Sequence, residues 1–224
     1  MKRRPTRELL DDDLGTPAEI AESLADLRWF NRWFGGLSTM RTLFETAAHV
    51  TGQHKFTVLE VASGDGYLMQ TITNDLADNG IQLDVMLLDR AASHLPRNGG
   101  MPKVTADALS LPFRDGSFDL VVSSLFLHHL APGQAVQFAR EALRVCGTAV
   151  LVHDLIRHPL HLALAYAGVP LYHSRITRND APASVWQAYT VDEVAGFFRL
   201  AGASDVHVQE QYLYRMGVMA RKPQ

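Results

Sequence analysis

From residue 57 onward, short apolar runs and amphipathic helical stretches take turns, and this alternation limits the possible folds more than any other feature of the chain. TVLEVA (57–62), LDVMLLD (83–89), FDLVVSSLF (118–126) and TAVLVHD (148–154) have the apolar, branched composition of strands. YLMQTITNDLADNG reads as a helix stopping at Asn79-Gly80. Residues 133–146 read as another, with Ala135, Phe138, Ala139, Ala142 and Leu143 on one face. ALSLPF (108–113) is a loop. Strands separated by helices pair through crossovers, which implies a mostly parallel sheet covered on both faces. The last part of the chain breaks the pattern. Thr190 and Glu193 form a capping box opening a helix with Val194, Phe197, Phe198 and Leu200 that stops at Gly202. SDVHVQE and YLYRMGVMARK then follow with almost nothing between them, so they must pair antiparallel. The predicted fold is α/β, a doubly wound sheet of Rossmann-like type closed by an antiparallel hairpin.

Two helices precede the sheet. TPAE at 16–19 combines an N-cap, a proline at the first helical position and a reciprocal Glu19. Ile20, Leu24, Leu27, Phe30 and Phe34 recur at helical spacing before Gly35-Gly36, and a second helix covers about 38–51. The domains expected are a helical cap over 1–52 and a sheet domain over 53–224, the latter carrying a substrate-shaping insertion at 156–189. Within RWFNRWFGG (28–36) the aromatics either pack on the sheet or belong to a lid, with Arg28, Asn31 or Arg32 reaching a ligand. The basic start KRR is answered by Glu8 and Asp11 to Asp13 and reads as a solvated terminus. A net charge of −3 offers no footprint for a phosphate backbone. The single cysteine, Cys146, and the missing N-terminal apolar h-region point to the cytoplasm. LHLALAYAGVPLY at 160–172 is too short to span a bilayer and is expected to be a buried or lid helix.

Open α/β sheets bind ligands at the carboxyl ends of their strands. After the first strand, Gly64-Asp65-Gly66 removes the Cβ atoms that would hold a ligand away from the backbone. Asp89 ends the second strand, roughly 20 residues on, where an acid accepts hydrogen bonds from ribose hydroxyls. Ala106-Asp107-Ala108 follows a third strand between LDVMLLD and FDLVVSSLF, which makes FDLVVSSLF the fourth, and it can face an adenine amine. Ser123-Ser124-Leu125 and His128-His129 follow the fourth. Singly each has a plain reading: Asp89 caps a helix over 91–96, and Asp107 is an ordinary turn residue.

Taken together, EVASGDG, LLDR, ADALSLPF and FDLVVSSLFLHHL resemble the class I methyltransferases that use S-adenosylmethionine, in their small-molecule, ubiquinone- and menaquinone-methyltransferase-like branch. The resemblance covers about residues 56–155 and implies seven strands in the order 3-2-1-4-5-7-6, the seventh antiparallel. It implies that Glu60 and the loop of Ala62, Ser63, Gly64, Asp65 and Gly66 hold the methionine moiety. Asp89, with Arg90 beside it, would hold the ribose, and Asp107 and Ala108 the adenine, with Ser124 and Leu125 flanking the site. One departure stands out: the family's first loop glycine is Ala62 here. A nicotinamide enzyme shares the glycine turn and the acid. Against it stand Met69, where that motif has a third glycine, and the closing hairpin. The Asn/Asp-Pro-Pro-aromatic signature of adenine and amide methylation is replaced by Ser-Ser-Leu-Phe.

The reaction implied is methyl transfer to oxygen or carbon of a small aromatic, polyketide-like or quinone-like acceptor. Its alternative is a non-catalytic cofactor-binding sensor or partner subunit. Histidine and acid spacings give no metal site. His153, with Asp154, at the end of the fifth strand is the preferred general base, and His129 the second candidate. His158, His161 and His173 lie in the following insertion, where Arg175, Arg178 and Asp180 either pin a polar acceptor or pair with one another.

Overall fold

The computed structural model describes residues 1–10, 15–96 and 100–223; Asp11 to Asp13 of the acidic run lie outside the described residues. Seven strands form one sheet: β1 (Lys55–Val61), β2 (Gln82–Asp89), β3 (Lys103–Thr105), β4 (Phe118–Ser124), β5 (Cys146–Leu155), β6 (Asp205–Gln211) and β7 (Arg215–Arg221). Their order is β3-β2-β1-β4-β5-β7-β6. β1 runs parallel to β2 and β4, and β5 parallel to β4. β7 is antiparallel to both β5 and β6. Strand order reverses between β1 and β4, which opens a crevice at their carboxyl ends.

Both faces are covered, as the alternating pattern requires. On one side α2 (Gly36–Thr51) and α3 (Tyr67–Ala77) bury Met40, Phe44, Met69 and Ile72 against Phe56 and Val58. On the other, α4 (Pro132–Val145) and α7 (Val191–Leu200) bury Phe138, Leu143 and Phe198 against Val121 and Val150. Burying each of these larger side chains contributes about 1.5–3 kcal/mol. α2, grouped with the cap in the sequence, thus packs as part of the layer on the sheet.

The remaining helices build a roof. α1 (Pro17–Trp33) lies against α2, α3 and α6 (Arg175–Gln187). Its buried residues are polar, Ser23 and Asp26, while Leu24, Leu27, Phe30 and Phe34 are half-buried because they face a cavity. Asp26 accepts hydrogen bonds from the backbone N–H groups of His173 (3.1 Å) and Ser174 (3.0 Å), which places a carboxylate at the N-terminus of α6. α5 (Pro159–Gly168) leaves Leu160, Leu164 and Tyr166 exposed and buries Ala165, so the apolar 160–172 run forms a rim and is not a buried helix. No helix among the described residues is long and apolar enough to cross a membrane.

Strand ends differ from the sequence reading where the backbone turns left-handed. FDLVVSSLF stops at Ser124 because Leu125 takes φ +53°. Tyr212 to Tyr214 leave the last strand to form the hairpin turn, with Leu213 and Tyr214 both at positive φ, the geometry that matches strand twist. Residues 91–96 hold a turn in place of a helix. KRR is not simply solvated either: Arg3 donates to the carbonyls of Gln187, His128 and Leu130 and sits over the Tyr189 ring. Arg4 covers Trp186. The N-terminus is a strap across the roof, with no periodicity in the sequence to announce it.

Candidate active site

The carboxyl ends of β1, β2, β4 and β5 open into a cavity of about 970 Å³ roofed by α1, α5, α6 and the N-terminal strap. Its first half is made by the loop after β1. Gly64 has φ +55°, and a Cβ there would meet nothing within 4 Å, so its bare backbone faces open space. Gly66, at φ +71°, is bare for another reason: a Cβ would lie 2.6 Å from Leu87 Cδ1. Ala62 also takes a left-handed backbone, φ +57°, where glycine is favoured, at a cost of about 1–2 kcal/mol. Asp89 Oδ2 accepts from Gly64 N–H (2.9 Å) and Oδ1 from Ala91 N–H (2.9 Å), which fixes the carboxylate and leaves lone pairs toward the cavity.

Glu60 also lines this half, is 2% exposed, and its Oε2 has no hydrogen-bond partner. Burial, followed by the charges of Asp65 and Asp89, holds its carboxyl well above the usual range. Asp65 is occupied by Arg28 of α1 and by the Tyr67 N–H. Asp107 is exposed and accepts from Leu109 N–H (2.8 Å), beside buried Ala108. Ser63, Arg90, Ser124 and Leu125 line the same cavity. Of the α1 residues, Arg28 and Asn31 face the cavity, whereas Arg32 lies exposed over Trp33.

The orphaned Glu60 oxygen, the bare Gly64 and the anchored Asp89 fit an adenosyl-amino-acid cofactor. A buried carboxylate suits its ammonium, the open backbone its chain, and the acid its ribose.

The second half lies beyond β4. Neither His153 nor Asp154 lines the cavity. His153 is fully buried, with Nδ1 2.8 Å from Ser124 Oγ and Nε2 unpartnered. Burial, then Arg215, pushes its pKa down to about 3. Alternation along β5 turns Asp154 to the opposite face. There it accepts a 2.6 Å hydrogen bond from His128 Nδ1, and His128 does line the cavity. Burial raises the Asp154 pKa, but His128 and the Leu155 N–H more than offset it, so the group sits below its ordinary value. His129 lies tilted beside His128, their ring centroids 4.1 Å apart. His161 also lines the cavity; its Nδ1 is 3.0 Å from the Ile156 carbonyl, and burial lowers its pKa to about 4.

Among the described residues, Arg175, Arg178 and Asp180 do not pair with one another, and none of them lines the cavity. Arg175 pairs with Glu19, Arg178 donates to the Tyr172 carbonyl, and Asp180 accepts from the Leu9 and Leu10 N–H groups. They fasten the roof.

Two residues of the cavity escaped the sequence reading. Glu8, buried, accepts from Ser184 and Gln187 and approaches His128 Nε2 at 3.7 Å. With His128 and His129 it forms a group whose ligand atoms lie within 4.8 Å of one another, a spacing that suits a metal ion. Arg215, at the start of β7, carries no sequence motif at all.

Sheet order and the switch point are those of the class I methyltransferase fold. Residues 59–151, about two fifths of the chain, match the family model described as a methyltransferase domain. The chain is 40% identical over 92 residues to the demethylmenaquinone methyltransferase of Beutenbergia cavernae, a match covering 39% of this chain and 35% of that protein. In fold it is similar to the plantazolicin methyltransferase BpumL, solved with a monoazolic desmethylPZN analog and SAH (TM-score 0.70, 10% identity, 96% and 95% of the two chains). It is also similar to human N-acetylserotonin methyltransferase in complex with SAM (TM-score 0.66, 16% identity), covering 97% of this chain and 63% of that one. The chain thus spans about a third of the curated relative's length and less than two thirds of the human enzyme's.

Proposed function

We propose that the chain is an S-adenosylmethionine-dependent methyltransferase that methylates oxygen or carbon of a small acceptor with an aromatic, polyketide-like or quinone-like body. The observation that carries this reading is the roofed cavity running from the Glu60–Gly64–Asp89 cradle to the His128–Asp154 pair. When bound, S-adenosylmethionine supplies an electrophilic methyl group. Glu60 holds its ammonium, Asp89 its ribose hydroxyls, and Asp107 with Ala108 borders its adenine.

The remaining work falls to this chain's own residues. Leu125, Phe126, Leu164 and Val185 line the cavity and suit an apolar acceptor. Positioning of this kind supplies on the order of 7–11 kcal/mol in favourable cases. For a hydroxyl acceptor a proton must leave. His128 accepts it at Nε2, while Asp154 holds the ring by Nδ1–H and stabilises the imidazolium that forms. The base thus moves from His153 to its strand neighbour's partner, because His153 has no face on the cavity.

Titration calorimetry with S-adenosylhomocysteine, followed by turnover on a panel of hydroxylated aromatics, tests the reading. Binding that is lost in Asp89→Ala, together with methylation of panel members, is the expected result. Binding of NADH instead refutes it, and binding without turnover of any acceptor favours a sensor.

A further inference from the structure

Arg215 begins β7 opposite Leu155, the last residue of β5. It is 6% exposed and lines the cavity, and neither Nε nor Nη1 has a hydrogen-bond partner. Among the described residues it makes no ion pair. Asp154 attracts it through space, but that carboxylate is taken by His128 and the Leu155 N–H. Burial lowers the guanidinium's pKa to about 10, so it keeps its charge at neutral pH. A buried charge with unmade hydrogen bonds is strongly unfavourable, and its counterpart is most simply an anion that arrives with a ligand.

Sheet order says which ligand. The groups suited to adenine, ribose and methionine follow β3, β2 and β1, whereas β7 lies three strands beyond β1 across β4 and β5. At the usual inter-strand spacing that is about 14 Å. Arg215 therefore belongs to the acceptor half, in a cavity walled there by Leu125, Leu155 and Leu213, with His161 close enough to feel its charge.

Resting on the methyltransferase reading, we propose that the methyl acceptor is an apolar molecule carrying a carboxylate, and that Arg215 is the specificity-determining residue that grips it. A single planar guanidinium matches two carboxylate oxygens through its fork, whereas a phosphate dianion would need a second cation. Arg215 sets the acceptor's orientation, and for a hydroxyl acceptor His128 receives the proton.

The test uses the full chain. Calorimetry first establishes S-adenosylhomocysteine binding to the wild type; failure there refutes the methyltransferase reading itself, before any acceptor probe is added. The loaded protein is then titrated with hydroxylated benzoates, cinnamates and naphthoates, each against its methyl ester, and with phenyl phosphate. Acids should bind at least tenfold more tightly than their esters, Arg215→Lys should keep part of that preference, and Arg215→Met should abolish it. Affinity for S-adenosylhomocysteine should stay within twofold in both variants, and ligand-free Arg215→Met should melt no lower than wild type. The proposal is overturned if no acid binds, if esters bind equally, if the preference survives in Arg215→Met, or if phenyl phosphate binds best. A tenfold loss of S-adenosylhomocysteine affinity in Arg215→Met also overturns it, since Arg215 would then serve the cofactor.

Discussion

Replacing Glu60 with Gln should make the ligand-free protein more stable and the cofactor site worse. Glu60 is 2% exposed and faces Asp65 and Asp89, so burial first and those charges second raise its pKa above the ordinary carboxylate value of about 4.3. The sign follows from proton uptake. Between the unfolded and the folded pKa the folded state holds a proton that the unfolded chain has released, so stability falls as pH rises across that window. Each pH unit inside it costs up to about 1.4 kcal/mol. Gln removes the ionisation, and with it the slope. It also removes the negative partner of a buried cationic group, a loss on the order of 2–5 kcal/mol, or roughly 30- to 5,000-fold in affinity. Thermal melts from pH 5 to 8 should show Glu60→Gln melting above wild type toward neutral pH and converging with it near pH 5. Calorimetry with S-adenosylhomocysteine should show affinity collapsing in the variant. In the wild type it should rise with pH, with a proton released on binding that appears as buffer-dependent heat. A variant that binds as tightly as wild type, or melts below it at pH 7, would refute the reasoning.

Three further outcomes follow from the same geometry. Asp154→Asn should leave S-adenosylhomocysteine affinity intact but cut kcat on hydroxyl acceptors by roughly 10²–10⁴-fold. Because folding lowers the Asp154 pKa, its contribution to stability is present above about pH 4 and is lost as pH falls, so the variant should also melt lower at neutral pH. The two loop glycines should separate: Gly66→Ala, driving a Cβ into Leu87, should lower Tm by several degrees, at about 2–4 °C per kcal/mol, while Gly64→Ala should cost relatively more in cofactor affinity than in Tm. Turnover should survive dialysis against EDTA, and added Zn²⁺ should inhibit by capturing Glu8, His128 and His129; loss of activity with EDTA, restored by a metal, would assign that cluster a catalytic ion.

Local chemistry explains which parts could be foreseen. The longer strands, the helices over 67–80, 133–146 and 191–200 and the closing hairpin were legible because each announces itself within ten or so residues, through periodicity, caps and a connection too short for a crossover; the three-residue β3 did not. The glycine loop, Asp89 and Asp107 were legible because each follows its own strand. His128 and Asp154 were both visible, but their pairing was not: it depends on which way the side chains of β5 alternate, which only packing decides. Glu8 and Arg215 gave no signal, since each enters the cavity from an end of the chain through contacts made in space. Leu24, Leu27 and Phe30 looked like a core face because a lid over an apolar cavity has the same periodicity as a helix on a sheet.

The seam around the roof is uneven. On the α6 side, Asp26 is buried and holds two backbone N–H groups; on the glycine-loop side, α1 meets the loop through Arg28 and Asp65, whose side chains are 48% and 22% exposed. Exposed pairs of this kind are worth about 1 kcal/mol or less and weaken in salt, whereas the buried carboxylate has no water to turn to. The glycine-loop side is therefore the weaker seam, the one expected to part first for a bound cofactor to leave. Where its departure limits the catalytic cycle, the turnover number should climb with ionic strength.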